Sequence, residues 1–132
     1  MKEVDEKVPV KLFSVEEANS LIPQLRPLIR SAVDSHTALS KLQSEIQRAR
    51  DHAIYDGGSP YGSNYIFLLK NFTDAISKIE EMGVLVKDLR IGLCDFPHWK
   101  DGHVIYLCWK MDEERVSYWH EVDAGFSGRQ PI

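Results

Sequence analysis

The sequence predicts an α+β fold in which a long antiparallel helical hairpin packs on a small antiparallel β-sheet. Apolar residues recur at steps of three and four through about residue 82, and they alternate with a period of two after residue 84. A segment rich in glycine, serine and proline, residues 51–63, divides the helical part in two. We therefore expect one domain over residues 1–132, with the hairpin at about 14–83 and a β-meander with a C-terminal tail at 84–132.

The composition excludes several classes of protein. Sixteen basic and twenty acidic residues give a net charge of −4. Proteins that neutralise phosphates usually carry a basic surplus, so nucleic acid is not an expected partner. The longest apolar runs, at 65–69 and 104–109, are far shorter than the roughly 20 residues that span a bilayer. The N-terminal residues lack the apolar core of a signal peptide, and two cysteines without such a signal indicate reduced thiols. We expect a cytoplasmic protein.

The first helix is predicted to begin after Ser14, because Ser14 and Glu17 have the spacing of a capping box. Pro23 and Pro27 follow, and an interior proline removes one backbone hydrogen bond and clashes with the carbonyl four residues earlier. We therefore expect a short helix over about 15–19 and a kink or a restart near Leu21.

Beyond this point the apolar spacing is that of a heptad seam, interrupted only at Ser35. The seam consists of Leu21, Leu25, Leu28, Ala32, Leu39, Leu42, Ile46, Ala49 and Ala53. It fits either an ordinary amphipathic helix of a hairpin or a coiled-coil-like assembly.

The second helix is predicted over about 64–82, with Gly83 as its C-terminal stop. It would span ~28 Å, whereas residues 21–53 would span ~50 Å. The sheet would cover part of the additional length of the first helix, and the apolar stripe on the rest of that helix needs a partner. We expect a homodimer with the first helix in the interface.

Two strands, at 93–99 and 103–109, flank Asp101-Gly102, which has the sequence of a type I′ hairpin turn. A short edge strand is expected near 84–86, and the tail after residue 122 is expected to be irregular. The two-residue turn fixes the register, and alternate positions share a face. The core face then carries Cys94, Phe96, Ile105, Leu107 and Trp109, and the outer face carries Asp95, Tyr106 and Cys108. The two cysteines lie on opposite faces, so an internal disulfide is not expected.

A further strand, at about 116–122, joins the sheet in one of two registers. A four-residue turn buries Val116, Tyr118, His120 and Val122 on the core face. A three-residue turn reverses the faces and brings Tyr118 and His120 beside Asp95 and Cys108. Hydrophobicity favours the first register, whereas a metal site favours the second.

The strings GLCDFP, DGHVIYLCW, YWHEVDAGF and GRQP, with FSVEEANSLIPQLRPLI near the N-terminus, resemble an uncharacterised prokaryotic family, domain of unknown function 2203. The resemblance runs from Leu12 to Ile132 and implies a small bacterial or archaeal protein, with no known activity, substrate or cofactor. The matching positions are Asp88, Gly92, Asp95, Phe96, Pro97, Leu107, Cys108, Trp109, Trp119, His120, Glu121, Gly125, Phe126, Gly128 and Arg129.

The candidate site lies on the outer face of the predicted sheet. Its metal-ligand types are Asp95, Cys108, His120 and Glu121, which suit zinc or another divalent transition metal. A ligand-binding cluster would consist of Asp95, His120, Glu121 and Arg129. The arginine could grip a carboxylate or phosphate, or it could pair with Glu121 or Asp123 and pin the C-terminus to the sheet.

Two functional hypotheses follow from the sequence. The favoured one is a self-associating cytoplasmic interaction or scaffold protein. The alternative is a metal- or small-ligand-binding protein, with hydrolytic activity as an extension. A nucleophilic role for Cys108 requires His120 within hydrogen-bonding reach and a lowered thiol pKa, and the sequence identifies no cofactor.

Overall fold

The computed structural model describes residues 11–52 and 62–132, in which two helices precede a five-stranded antiparallel sheet. The elements are α1 (Val15–His52), α2 (Gly62–Glu81), β1 (Leu85–Asp88), β2 (Leu93–Lys100), β3 (His103–Lys110), β4 (Tyr118–Glu121), a 3-10 turn (Phe126–Gly128) and β5 (Gln130–Pro131). The strand order follows the sequence, so the sheet is a meander. This confirms the predicted α+β class with its helical hairpin. Most of the predicted connector, together with Ala53, lies outside the described residues.

Helix α1 begins with the predicted capping box. The Ser14 N–H donates to Glu17 Oε1 at 2.9 Å, and the Glu17 N–H donates to Ser14 Oγ at 3.0 Å. The expected break near Leu21 is wrong, because the helix continues without interruption through Pro23 and Pro27. Both prolines lie on the exposed side, opposite a buried apolar stripe. Burial of that stripe offsets the missing backbone hydrogen bonds.

The buried stripe of α1 covers two different surfaces. It consists of Ala18, Ile22, Leu25, Ile29, Ala32, Ser35, Leu39 and Leu42. Its first half packs in one cluster with the core face of the sheet. Farther along, α1 packs on α2, and the His36 and Phe72 rings lie 5.8 Å apart. Ser35, where the predicted seam is interrupted, continues the buried stripe.

The β2–β3 hairpin confirms the predicted register. Cys94 lies opposite Trp109, and Asp95 lies opposite Cys108. The turn residues Asp101 and Gly102 have φ angles of 50° and 86°, as a type I′ turn requires. All five residues predicted for the core face are buried.

The favoured register of the next strand is wrong. Cys108 pairs with Tyr118, and Tyr106 pairs with His120, so these four side chains share the outer face. That is the face arrangement of the alternative register, although the connection between β3 and β4 covers residues 111–117 instead of three residues. Val116 remains buried although it lies outside β4.

Contacts from α1 hold this longer connection. The Arg26 guanidinium donates to the carbonyls of Met111 and Glu113 at 2.5 and 3.1 Å. The Val116 N–H donates to Asn19 Oδ1 at 2.8 Å. The C-terminal tail is also more ordered than expected, because β5 pairs with β4 and forms the second edge strand of the sheet.

Candidate functional site

The outer face of the sheet carries a buried polar cluster at its centre. Asp95 of β2, Cys108 of β3 and His120 of β4 are each at most 2% exposed, although this face packs on neither helix. One donor atom from each residue, an oxygen, a sulfur and a nitrogen, lies within 4.8 Å of the other two. The structure therefore brings together three of the four predicted metal ligands.

The His120 ring is held from both sides. Its Nδ1 lies 2.6 Å from the backbone carbonyl oxygen of Glu121, and its Nε2 lies 3.1 Å from Asp95 Oδ1. Because a carbonyl oxygen can only accept, Nδ1 carries a hydrogen and donates it. The remaining nitrogen, Nε2, then shares one proton with the Asp95 carboxyl group. Burial raises the pKa of this carboxyl group, and the neighbouring His120 opposes that rise.

Cys108 is not activated as a nucleophile. Burial raises the pKa of its thiol to about 12, and the nearby charge of Asp95 acts in the same direction. The His120 nitrogen that could have served as a base is engaged with Asp95. Hydrolysis through a Cys108 thiolate therefore has no support in this geometry.

Two further side chains cover the cluster. The Tyr106 ring meets His120 edge to face, with the ring centroids 5.6 Å apart. Lys87 Nζ lies over the Tyr106 ring at 4.8 Å from its centroid, and its charge favours the ionised form of Asp95. The sequence reasoning missed Lys87. Alternation from Val84 and Val86 places Lys87 on the outer face, but the sequence provides no register for β1 and so could not place Lys87 near Asp95.

Glu121 is the predicted ligand that stays outside the cluster. It follows His120 directly, so its side chain points to the other face. Its carboxylate contacts His103 Nε2 at 3.0 and 3.2 Å. Only its backbone carbonyl takes part, by holding the His120 ring.

Arg129 pins the C-terminal tail to the sheet, but through a different partner than expected. Its Nη2 donates to both carboxylate oxygens of Glu113, at 2.6 and 2.9 Å, rather than to Glu121 or Asp123. The same nitrogen donates to the Cys108 carbonyl at 3.3 Å. The guanidinium carbon lies 4.1 Å from the Tyr118 ring centroid and 4.9 Å from that of Phe126. This predicted ligand-binding residue is therefore engaged within the chain.

Glu113, which the sequence reasoning missed, joins the 111–117 connection to the tail. Its carboxylate accepts the Lys110 N–H at 2.7 Å, and its carbonyl accepts the Trp109 indole N–H at 2.9 Å. A charged residue in a turn is usually solvated, so the sequence does not distinguish Glu113 from its acidic neighbours, whereas its contacts with Lys110, Trp109 and Arg129 do.

These features define an α+β protein whose antiparallel meander buries an Asp–Cys–His cluster on the face away from its helices. The model of the family described as "Uncharacterized conserved protein (DUF2203)" matches residues 11–132, and the chain belongs to this family. No curated protein and no solved structure matches the chain. Among the described residues, neither helix combines the length and the apolar character that crossing a membrane requires.

Proposed function

We propose that this protein binds a divalent transition metal ion, with Zn²⁺ as the first candidate, through Asp95, Cys108 and His120. The observation that carries the proposal is the convergence of three buried donor atoms of different elements within 4.8 Å. In a tetrahedral zinc site, bonds of ~2.0–2.3 Å separate the donors by about 3.5 Å. Closing the cluster around an ion therefore requires side-chain movements on the order of 1 Å.

The hydrogen bond at the back of His120 supports a metal ligand. Histidines that bind metals usually donate their second ring N–H to a carbonyl or a carboxylate, which fixes the tautomer and the ring orientation. The Glu121 carbonyl is that partner for Nδ1. The nitrogen left to coordinate an ion is Nε2, which already faces Asp95.

The charges of the cluster balance with an ion in place. The Asp95 carboxylate and the Cys108 thiolate supply two negative charges, and the neutral His120 imidazole supplies none, which matches a divalent cation. Without an ion, one proton between Asp95 and His120 and one proton on the thiol provide the same balance. Exchange of a metal for two protons therefore leaves no net charge buried.

The donor set favours zinc or cobalt over the hard cations, because a thiolate and an imidazole are soft and borderline ligands. Three protein ligands leave one tetrahedral position for water or a small molecule. The half-buried Tyr106 and Tyr118 cover the cluster, so binding, rather than turnover, is the activity that this arrangement supports best. A reducing cytoplasm, the location we propose, would keep Cys108 free of disulfides.

Metal content and Co²⁺ titration of the untagged full chain test the proposal. We expect about one ion per chain and a thiolate-to-cobalt charge-transfer band. Cys108→Ala should abolish the band. Cys94→Ala is the matched control, because Cys94 is also a buried thiol of this sheet but lies on the core face.

Two results would contradict metal binding at this cluster. One is a folded wild-type protein that takes up neither Zn²⁺ nor Co²⁺. The other is an unchanged charge-transfer band in folded Cys108→Ala. Circular dichroism establishes that each variant is folded before its metal content is interpreted.

A further inference from the structure

A seam with three apolar residues, Ile66, Leu69 and Ile76, runs along α2 beside the side of the helix that faces the core. Ile66, Leu69, Thr73, Ile76 and Glu80 follow one another at alternating steps of three and four. Ile66 is 67% exposed and Leu69 is 41% exposed, whereas the buried residues of this helix are Ala75 and Ile79. The helix therefore carries two large apolar side chains, Ile66 and Leu69, that remain exposed among the described residues.

A groove extends this seam toward the sheet. It has a volume of about 420 Å³, and it lies between α2 and β1. Its apolar lining residues are Phe72, Ile76, Val84, Leu85, Val86 and Leu89. A contiguous apolar surface of this kind, next to large exposed side chains such as Leu69, marks an interaction surface.

The edge of the sheet opposes the addition of a strand here. β1 has only four residues, a register shift between Val86 and Asp88, and an exposed Lys87. Short length, bulges and lysines are the features by which proteins protect sheet edges from further strands. A helix is therefore the better occupant of the groove.

We propose that the occupant is α2 of a second copy of this chain, packed antiparallel about a two-fold axis near Thr73. The charges of α2 support this choice. Its first turn contains no acidic residue, and although Lys78 lies in its last turn, its final two residues are Glu80 and Glu81, at the end where the dipole disfavours acidic groups. An antiparallel copy sets each acidic end beside the positive N-terminal end of the other helix, and a two-fold axis satisfies both ends at once.

The same arrangement pairs apolar residues in the middle of the seam. With Thr73 at the midpoint, Leu69 of one copy meets Ile76 of the other, and this contact occurs twice, while Ile66 lies opposite Glu80 at each end. The proposed interface differs from the one expected on α1, whose apolar stripe is buried within the chain as far as Leu42. It also goes beyond metal binding, because it involves none of the three cluster residues.

Sedimentation equilibrium of the full chain tests the interface. We expect the wild type to form a species of twice the 15.1 kDa chain mass at micromolar concentration. Leu69→Glu should weaken dimerisation at least about tenfold, because it buries a carboxylate in an apolar contact. Phe67→Glu is the matched control. Phe67 is 61% exposed on the same helix, but it points about 160° away from Leu69 around the helix axis.

A wild type that stays monomeric up to about 100 µM, an affinity far weaker than specific dimers need, would overturn the proposal. Equal losses of dimer in Leu69→Glu and Phe67→Glu would overturn it as well, because the contact would then not follow the seam.

Cross-linking tests the antiparallel geometry. Thr73→Cys should form a disulfide-linked dimer under mild oxidation, because its two copies meet at the proposed two-fold axis. Lys78→Cys is the control, since Lys78 is exposed on a different side of α2. The native Cys94 and Cys108 are both buried and should not cross-link. Equally fast cross-linking at positions 73 and 78 would rule out this packing.

Discussion

Asp95 and His120 meet across an intervening strand. Asp95 belongs to β2 and His120 to β4, yet Oδ1 and Nε2 are 3.1 Å apart above β3. Strands two places apart are separated by roughly 9.5 Å, so the two side chains must lean toward each other over β3. Cys108 lies on that strand, directly opposite Asp95. The pair therefore holds three strands together on the face that the helices do not cover.

Loss of the histidine should destabilise the fold. His120→Ala leaves the buried Asp95 carboxyl group without its partner, and we expect a loss of ~1–3 kcal/mol in the free energy of unfolding. Urea denaturation measures this loss. Glu121→Ala changes the half-buried neighbour, whose carboxylate contacts the exposed His103, and it should stay within about 0.5 kcal/mol of the wild type. Equal stabilities of the two variants would contradict a structural role for the pair.

The Arg129–Glu113 pair should anchor the tail. Arg129→Ala should cost ~1–3 kcal/mol, because the Glu113 carboxylate, 19% exposed, loses two charge-assisted hydrogen bonds. Glu113→Ala should cost a comparable amount, and the double variant should cost less than the sum of the two. A coupling energy of ~0.5–3 kcal/mol in this cycle is the expected result. Strict additivity would show that the two side chains do not stabilise each other.

Both thiols should be unreactive in the folded protein. Burial raises the pKa of Cys94 and of Cys108 to about 12. At pH 8 only roughly one thiol in ten thousand would be ionised, and the thiolate is the reactive form. Labelling with an aromatic disulfide reagent should therefore be slow in buffer and rapid in denaturant, where two thiols per chain should react. Rapid labelling of one thiol in buffer would show that its site is open.

Trp109 should be essential for stability. It is fully buried in the core cluster, and Trp109→Ala should cost ~3–5 kcal/mol through lost burial and a cavity. Against a typical total of ~5–15 kcal/mol, such a loss brings the domain close to unfolding. Trp99→Ala is the control, because Trp99 is 57% exposed, and it should change stability by less than about 0.5 kcal/mol. Thermal melts followed by circular dichroism compare the two, and a loss below ~1 kcal/mol for Trp109→Ala would contradict its role as a core anchor.

Local rules predicted the parts of this fold that local geometry determines. The Asp101-Gly102 turn fixes the β2–β3 register by itself, so the placement of Asp95 beside Cys108 followed from the sequence. The capping box at Ser14 is equally local.

Features set by distant contacts could not be read in this way. The position of His120 depends on a connection held by Arg26 and Asn19, about 90 residues earlier in the chain. The hydrophobic pattern favoured the core face for His120, because that interpretation assumes that a sheet buries only one face. In this protein the centre of the outer face is buried as well. Its polar groups tolerate this burial because they form hydrogen bonds with one another.

The length of α1 has a consequence for how the domain unfolds. Its 38 residues form one continuous helix whose first part covers the sheet and whose later part covers α2. Neither layer can lose this helix without exposing the apolar surface of the other, so we expect both layers to melt in a single cooperative transition. A fragment ending at residue 83 would keep the helical hairpin but leave the first part of α1 bare, and we expect it to aggregate instead of folding alone.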